Sequence, residues 1–271
     1  MSELLNEIKK KSLQPNKSLG QNFIFDENIL AKIASTQKSG SVCLEIGVGP
    51  GGLTKQLSKV CKKVVGVEID KRFESVYADI FDENNIEIVF EDFMKADLDE
   101  LFREHIKEPF GVCANLPYYI TTPVLMKLLD SSLPITNISI LVQKEVADRI
   151  VSAPGSKVYG VLSVMTQCRG GAKKLFDLQP GVFMPPPNVV SSFVDIKIAE
   201  GKISSDIEGF RKCVRCAFSS RRKQIKGNIA TCYSLSKDRV AEVLREIGVK
   251  ETARAEELSI SDFDVLTQKL K

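Results

Sequence analysis

Ser41-Val-Cys-Leu-Glu-Ile-Gly47 runs without a break into Val48-Gly49-Pro50-Gly51-Gly52 and then into the helical stretch Leu53 to Lys59. The first part reads as a short buried strand, the glycines as a tight turn, and the remainder as the helix that the turn launches. Four more apolar runs follow, Lys63 to Ile69, Ile86 to Phe90, Phe110 to Ala114 and Ile138 to Val142, each separated from the last by enough chain for a helix. Strands alternating with helices predict an α/β fold with a parallel, doubly wound, Rossmann-like sheet. Leu175 to Leu178 and Ser192 to Ile198 read as two further strands, the latter alternating like a half-exposed antiparallel edge. The expected sheet therefore has seven strands. After Gly201 proline disappears and helical stretches recur, at Phe210 to Ser219, Lys237 to Ile247 and Ser261 to Leu270. This predicts a sheet domain over residues 1–199 and a small all-helical domain over 200–271.

The 271 residues are 43% hydrophobic and 27% charged, enough for one full core and a smaller second one. No apolar run approaches the roughly 18 residues that span a bilayer, and the first 17 residues carry no signal-peptide stretch. A cytoplasmic protein with no membrane partner is expected. Seven cysteines, scattered through apolar stretches, fit reduced buried thiols better than a disulfide framework. Cys213-Val-Arg-Cys216 has metal-ligand spacing but no second pair to complete a site, so no metal is expected. The net charge of +3 is unevenly spread: residues 200–271 hold 15 bases against 11 acids, the rest 23 against 24. Arg211, Lys212, Arg215, Arg221, Arg222, Lys223 and Lys226 fall in one acid-free stretch, and Lys9, Lys10, Lys11 and Lys17 in another. Such clusters attract polyanions, which makes nucleic acid the leading partner.

Gly47, Gly49 and Gly52 satisfy G-x-G-x-x-G, a pattern that on its own also suits a dinucleotide. Glu68 ends the next strand, 21 positions after Gly47, where a carboxylate can accept ribose hydroxyls. Asp92 ends the third strand and can accept an adenine amine, with Phe93 or Ile69 flanking the ring. Asn115-Leu116-Pro117-Tyr118 then places an amide, a backbone carbonyl and an aromatic ring within four residues. The Asn115 oxygen and the Leu116 carbonyl can each accept one hydrogen of an exocyclic amine while Tyr118 stacks on the base. In isolation these four residues are more often a plain turn. An NAD-dependent oxidoreductase would use the same glycine loop, but it leaves Asn115 to Tyr118 idle. His105, the single histidine, lies in a charged helical stretch and reads as a surface residue.

Eight motifs stand in a fixed order: Leu19-Gly-Gln-Asn-Phe23, Leu44 to Thr54, Val67-Glu-Ile-Asp70, Glu91-Asp92, Asn115-Leu-Pro-Tyr-Tyr119, Val142-Gln-Lys-Glu-Val146, Phe183-Met-Pro-Pro-Pro187 and Phe218-Ser-Ser-Arg-Arg-Lys223. In them the chain resembles the ribosomal RNA adenine N6-dimethyltransferases that act on small-subunit rRNA. The resemblance implies S-adenosyl-L-methionine as methyl donor, with Asn22, Ile24, Gly47, Gly49, Glu68, Ile69, Asp92, Phe93 and Asn115 around it. It implies Asn115, Leu116, Pro117, Tyr118 and Phe183 at the target base, the two rings forming a sandwich, and Arg221, Arg222 and Lys223 on RNA. The substrate would be 16S rRNA within a small-subunit assembly intermediate, dimethylated by a monomer at two adjacent adenosines in a loop near the 3′ end. Val48-Gly49-Pro50 departs from the Pro-Gly-x of many relatives but keeps the glycine. A 23S rRNA adenine methyltransferase of the antibiotic-resistance type would share the site, and a non-catalytic assembly factor would share the fold.

Overall fold

A computed structural model describes residues 3–199, 203–204 and 206–270. In chain order the elements of its first half are α1 (Glu3–Lys10), β1 (Phe23–Ile24), α2 (Glu27–Ala34), β2 (Val42–Ile46), α3 (Gly52–Ser58), β3 (Lys63–Glu68), α4 (Glu74–Ile80), β4 (Ile86–Phe90), α5 (Leu98–Leu101), β5 (Phe110–Asn115) and α6 (Tyr118–Asp130). β6 (Ile135–Gln143), α7 (Lys144–Val151), α8 (Val161–Arg169), β7 (Gly170–Leu178), β8 (Phe183–Met184) and β9 (Ser191–Ile198) follow, and then α9 (Ile207–Ala217), α10 (Ile225–Tyr233), α11 (Lys237–Glu246) and α12 (Ile260–Lys269).

Seven strands form one sheet in the order β4-β3-β2-β5-β6-β9-β7. Every residue of β2 is buried, because parallel neighbours flank it, β3 on one side and β5 on the other. Continuous burial is why this strand shows no polar alternation in the sequence. From β2 the chain winds outward through β3 and β4, then returns to β5 on the opposite side. The reversal opens a crevice beyond the carboxyl ends of β2 and β5, the usual ligand position in such sheets.

All seven expected strands are present, but β9 is not an edge. It runs antiparallel to β6, from Asn137↔Lys197 to Gln143↔Ser191, and lies between β6 and β7. The actual edge is β7, whose exposed Lys173 and Lys174 discourage further strand pairing. A second, two-stranded sheet was not legible in the sequence: β1 pairs antiparallel with β8 through Phe23↔Met184 and Ile24↔Phe183. Two residues are too few to show a period.

The chain divides into two compact units, Met1–Ala147 with Lys173–Ile198, and Asp148–Ala172 with Ala199–Lys271. The chain crosses between the units at 147/148, 172/173 and 198/199, so Asp148–Ala172 groups with the later helices. Within the second unit the Tyr159 ring meets Phe218 edge-on at 6.3 Å, and Phe218 meets Phe263 at 5.9 Å. The Gly155 N–H also donates to the Glu256 carbonyl at 2.7 Å. These are contacts over a long sequence separation, and no compositional shift marks them.

Cysteine usage also departs from expectation. Cys216 of α9 and Cys232 of α10 form a disulfide, their Cα atoms 5.8 Å apart, whereas Cys43, Cys61, Cys113, Cys168 and Cys213 are free and buried. Cys216 thus pairs away from Cys213, its neighbour in the C-x-x-C.

One close approach fixes the glycine loop from below. A Cβ on Gly66 of β3 would stand 2.5 Å from Val48 Cγ2 and 2.8 Å from Ile88 Cδ1. Gly66→Ala is therefore expected to cost about 1 to 3 kcal/mol by overpacking. Urea unfolding reads this directly, and an unchanged midpoint would contradict it.

Candidate active site

A cavity of about 260 Å³ opens beyond the carboxyl ends of β2 to β5. Its floor is the turn after β2. Gly49 takes a left-handed φ of 55°, and a Cβ there would meet the Phe23 ring at 3.0 Å, so only glycine fits without displacement. The Gly49 N–H donates to Glu68 Oε2 at 2.7 Å, and the Asp70 N–H donates to Oε1 at the same distance. Tyr77 Oη donates to the Gly49 carbonyl, also at 2.7 Å. Burial pushes the Glu68 carboxyl up while these backbone donors draw it down. A carboxylate has about four acceptor positions. Backbone donors take part of this capacity, and Glu68 also lines the cavity.

The segment Leu19 to Ile24 closes one wall. Gln21 Nε2 donates to Asp70 Oδ2 at 3.0 Å, and Arg72 grips the same carboxylate at 2.6 and 2.8 Å. The Arg72 hydrogen bonds hold the Asp70 carboxyl below the usual carboxylate range. Gly20 lies against Pro117 and the Tyr119 ring. Asn115 Nδ2 donates to the Asn22 carbonyl at 3.2 Å. That bond settles the orientation of the Asn115 amide and leaves Oδ1 as the free-facing acceptor.

Asn22, Ile24, Gly47, Gly49, Glu68, Ile69, Asp92, Phe93, Asn115, Leu116 and Pro117 all line this one cavity. Asp92 spends Oδ1 partly on the Met94 N–H, at 3.0 Å. Sequence reasoning missed Met94, Gln21 and Tyr119, which also line it. Adjacency to Phe93, to Asn22 and to Tyr118 was the available signal.

The two rings assigned to the base are placed differently. Tyr118 opens α6 half-buried, its side chain turned so that Oη lies 2.6 Å from Ser191 Oγ, and it is not among the residues lining the cavity. Phe183 is 5% exposed and packs into the core with Ile24, Leu30 and Phe193. The structure therefore does not bring the two rings face to face. The apolar register explains Phe183: β8 pairs with β1, whose Ile24 belongs to the same core cluster.

Arg221, Arg222 and Lys223 are exposed, as expected, but they occupy the turn between α9 and α10 and not a helix. The other basic stretches are partly neutralised in space. Lys11 pairs with Asp79 at 2.5 Å, Lys10 lies 3.4 Å from Glu7, and Lys226 pairs with Glu251 at 3.0 Å. His105 does not line the cavity, and its Nδ1 lies 2.5 Å from Glu87 Oε1. Among the described residues no cluster of three ligating side chains could hold a metal ion.

The charge of the cavity discriminates between ligands. Glu45, Glu68, Glu91 and Asp92 line it, with no Lys or Arg. An acidic lining with no base to offset it disfavours a pyrophosphate and favours a cationic nucleoside. Neither oxygen of Glu45 has a partner in hydrogen-bonding geometry among the described residues. A cationic ligand beside this buried acid would favour its charged form, which suits the positive charge of S-adenosyl-L-methionine, and the residues present fit that group.

The family profile of the ribosomal RNA adenine dimethylases matches residues 12–270. A ribosomal RNA small subunit methyltransferase A from Caldanaerobacter subterraneus is 42% identical over 264 residues, covering 95% of this chain and 98% of that one. The protein of the same name from Clostridioides difficile is 38% identical over 267 residues, covering 96% and 92%. Among solved structures, a dimethyladenosine transferase from Plasmodium falciparum superposes with a TM-score of 0.75 at 25% identity, over 90% of this chain and 95% of that one. The 23S rRNA methyltransferase ErmE gives 0.71 at 25% identity, over 92% and 99%.

Burial, opposed by the nearby Thr54 hydroxyl and reinforced by Glu68, pushes the Glu45 carboxyl up to about 8. A folded-state value above the unfolded one means that stability is full below the unfolded value of 4.5 and is lost as pH rises to about 8. Glu45→Gln removes that loss. Its thermal midpoint should gain on that of the parent steadily across this window, by up to a few kcal/mol in stability. A difference that stays constant across the window would contradict the assignment.

Proposed function

The chain belongs to the ribosomal RNA adenine dimethylase family, and from that membership and the chemistry of its cavity we infer that it transfers methyl groups from S-adenosyl-L-methionine to N6 of adenines in small-subunit rRNA. The observation that carries this reading is the junction of two half-sites in one cavity. Glu68 and the glycine loop offer a nucleoside cradle, and Asn115, its amide oriented by the Asn22 carbonyl, opens directly onto it.

When bound, S-adenosyl-L-methionine supplies an electrophilic methyl on a sulfonium. The chain's residues have a different task. Adenine N6 is a poor nucleophile because its lone pair is delocalised into the ring. Asn115 Oδ1 and the Leu116 carbonyl are proposed to accept its two hydrogens and so localise the pair on nitrogen. Glu68 holds the donor ribose, Asp92 the donor amine, and Ile69 and Phe93 flank the donor ring. Rate then comes from positioning and electrostatics, with no dedicated base. Tyr118 is proposed to stack on the target base, which must leave its own stack to enter. Phe183, packed in the core with Ile24 and Phe193, would act on the base only by supporting the wall behind it.

The relatives at 38% and 42% identity are named for the small subunit, which favours that target over the 23S rRNA named for ErmE. We further propose that the substrate is 16S rRNA in an assembly intermediate, met in the cytoplasm by a monomer. The sheet unit would be the catalytic domain, and the helical unit would grip RNA through Arg221, Arg222 and Lys223. No helix among the described residues is long and apolar enough to cross a membrane. Mass spectrometry of rRNA digests, with and without this gene, tests the reading. Loss of N6,N6-dimethyladenosine from 16S rRNA is expected, and loss confined to 23S rRNA would overturn it.

Three side-chain groups separate the donor, base and RNA roles. Glu68→Ala should weaken S-adenosylhomocysteine binding by about 1.5 to 3 kcal/mol in calorimetry, the range for hydrogen bonds to a charged acceptor. Tyr118→Ala and the volume-sparing Phe183→Leu should instead slow methyl transfer by the equivalent of about 1 to 3 kcal/mol. Equal damage to donor affinity would return both rings to the core or the donor pocket. Replacing Arg221, Arg222 and Lys223 together by Ala should flatten the salt dependence of rRNA binding by up to about two to three units of log–log slope. An unchanged slope in the folded triple variant would move the RNA surface elsewhere.

A further inference from the structure

Ser191 is fully buried at the start of β9, 73 residues from Tyr118 in sequence, with Oγ 2.6 Å from the Tyr118 hydroxyl. Its backbone is fixed from two sides. The Lys144 N–H donates to the Val190 carbonyl at 3.0 Å, and Ser191 is paired in register with Gln143 of β6. On the other side Ser192 Oγ donates to Asp177 Oδ1 of β7 at 2.6 Å. Ser191 Oγ is thus carried by a strand that cannot shift without breaking the sheet. Tyr118 sits at the start of α6, just after Pro117, whose φ of −54° is set by its ring. Backbone constraints therefore fix both ends of the hydroxyl pair, and between them lies the tyrosine ring.

We propose that Ser191 is a positioning residue for methyl transfer, which holds the Tyr118 ring in one plane so that an extruded adenine meets a preset stacking surface. The proposal rests on the assignment of Tyr118 to the target base. A tyrosine ring anchored only at Cβ can rotate about two side-chain bonds, and a base entering the slot would have to order it. Anchoring the far end of the ring as well removes that cost before substrate arrives. Burial pushes the Tyr118 phenol up and the Ser191 bond draws it back, so the ring stays neutral at physiological pH and keeps a hydrogen to share. None of the eight motifs that carry the family resemblance contains Ser191.

A double-mutant cycle on the full-length protein tests this with unmethylated small-subunit particles as substrate. Ser191→Ala and Tyr118→Phe each remove one hydroxyl and keep the ring. Each should lower kcat/KM for RNA roughly 3- to 10-fold, the equivalent of one neutral hydrogen bond. The double variant should be no worse than either single one. S-adenosylhomocysteine affinity should stay within twofold throughout, and Ser191→Thr, which restores the hydroxyl, should recover most of the loss. Parallel losses of donor affinity and thermal midpoint, or additive losses in the double variant, would show that Ser191 is merely structural. If Tyr118→Ala is impaired while Tyr118→Phe and Ser191→Ala match the parent, the positioning role alone fails. If Tyr118→Ala itself transfers methyl groups at the parental rate, the base assignment fails first.

Discussion

One buried carboxylate organises the sheet end on which the site is built. Glu68 accepts the Gly49 N–H with one oxygen and the Asp70 N–H with the other, both at 2.7 Å. These bonds tie the loop after β2 to the turn after β3. Without them Gly49 would lose its brace, although its left-handed φ also answers to the Phe23 ring packed over it. Asp70, set in place by the same turn, receives Gln21 and Arg72, and Gln21 brings the Leu19 to Phe23 segment across the crevice. From that segment the Asn22 carbonyl reaches the Asn115 amide. A chain of short polar contacts thus runs from the donor cradle to the residue assigned to the target amine, each link fixing the next. The cost is a carboxylate held in a buried place, and the backbone donors around it offset that cost.

Much of this was legible in the sequence because it depends on local pattern. Burial of β2 on both faces wrote a continuous apolar run, and the tight turn after it demanded glycines at fixed spacing. Glu68, Asp92 and Asn115 each stand at the end of a strand, so the α/β reading alone gathered them at one edge. Residues further along the chain escaped for equally physical reasons. β1 and β8 are two residues each, too short for any period, yet their pairing sends the Phe183 side chain into the core. The return of Asp148–Ala172 to the helical unit rests on tertiary contacts of Tyr159 and Phe218, which leave no compositional trace. Acid-free stretches misled in a similar way. Lys11 finds Asp79 on α4, a partner 68 positions away that linear charge counting cannot see.

The cavity's charge adds a constraint that motif reading lacked. A glycine loop is common to dinucleotide and methyl-donor sites, but four acids and no base at the lining argue for a cationic ligand. Glu45 sharpens the point. It sits two residues before the loop, buried and without a partner in hydrogen-bonding geometry among the described residues, so its ionised form is costly there. A buried acid that costs stability and lines the cavity is what a binding site, and not a core, is expected to contain. The RNA side we propose asks for something different, since phosphate contacts need only exposed charge, and the turn carrying Arg221, Arg222 and Lys223 offers it.

A crystal structure of the protein with S-adenosylhomocysteine would test the central claim most directly. The account predicts the ribose hydroxyls on the Glu68 carboxylate, the adenine between Ile69 and Phe93, and the sulfur end of the ligand toward Asn115. A ligand bound elsewhere, or bound in this cavity with its ribose away from Glu68, would contradict it.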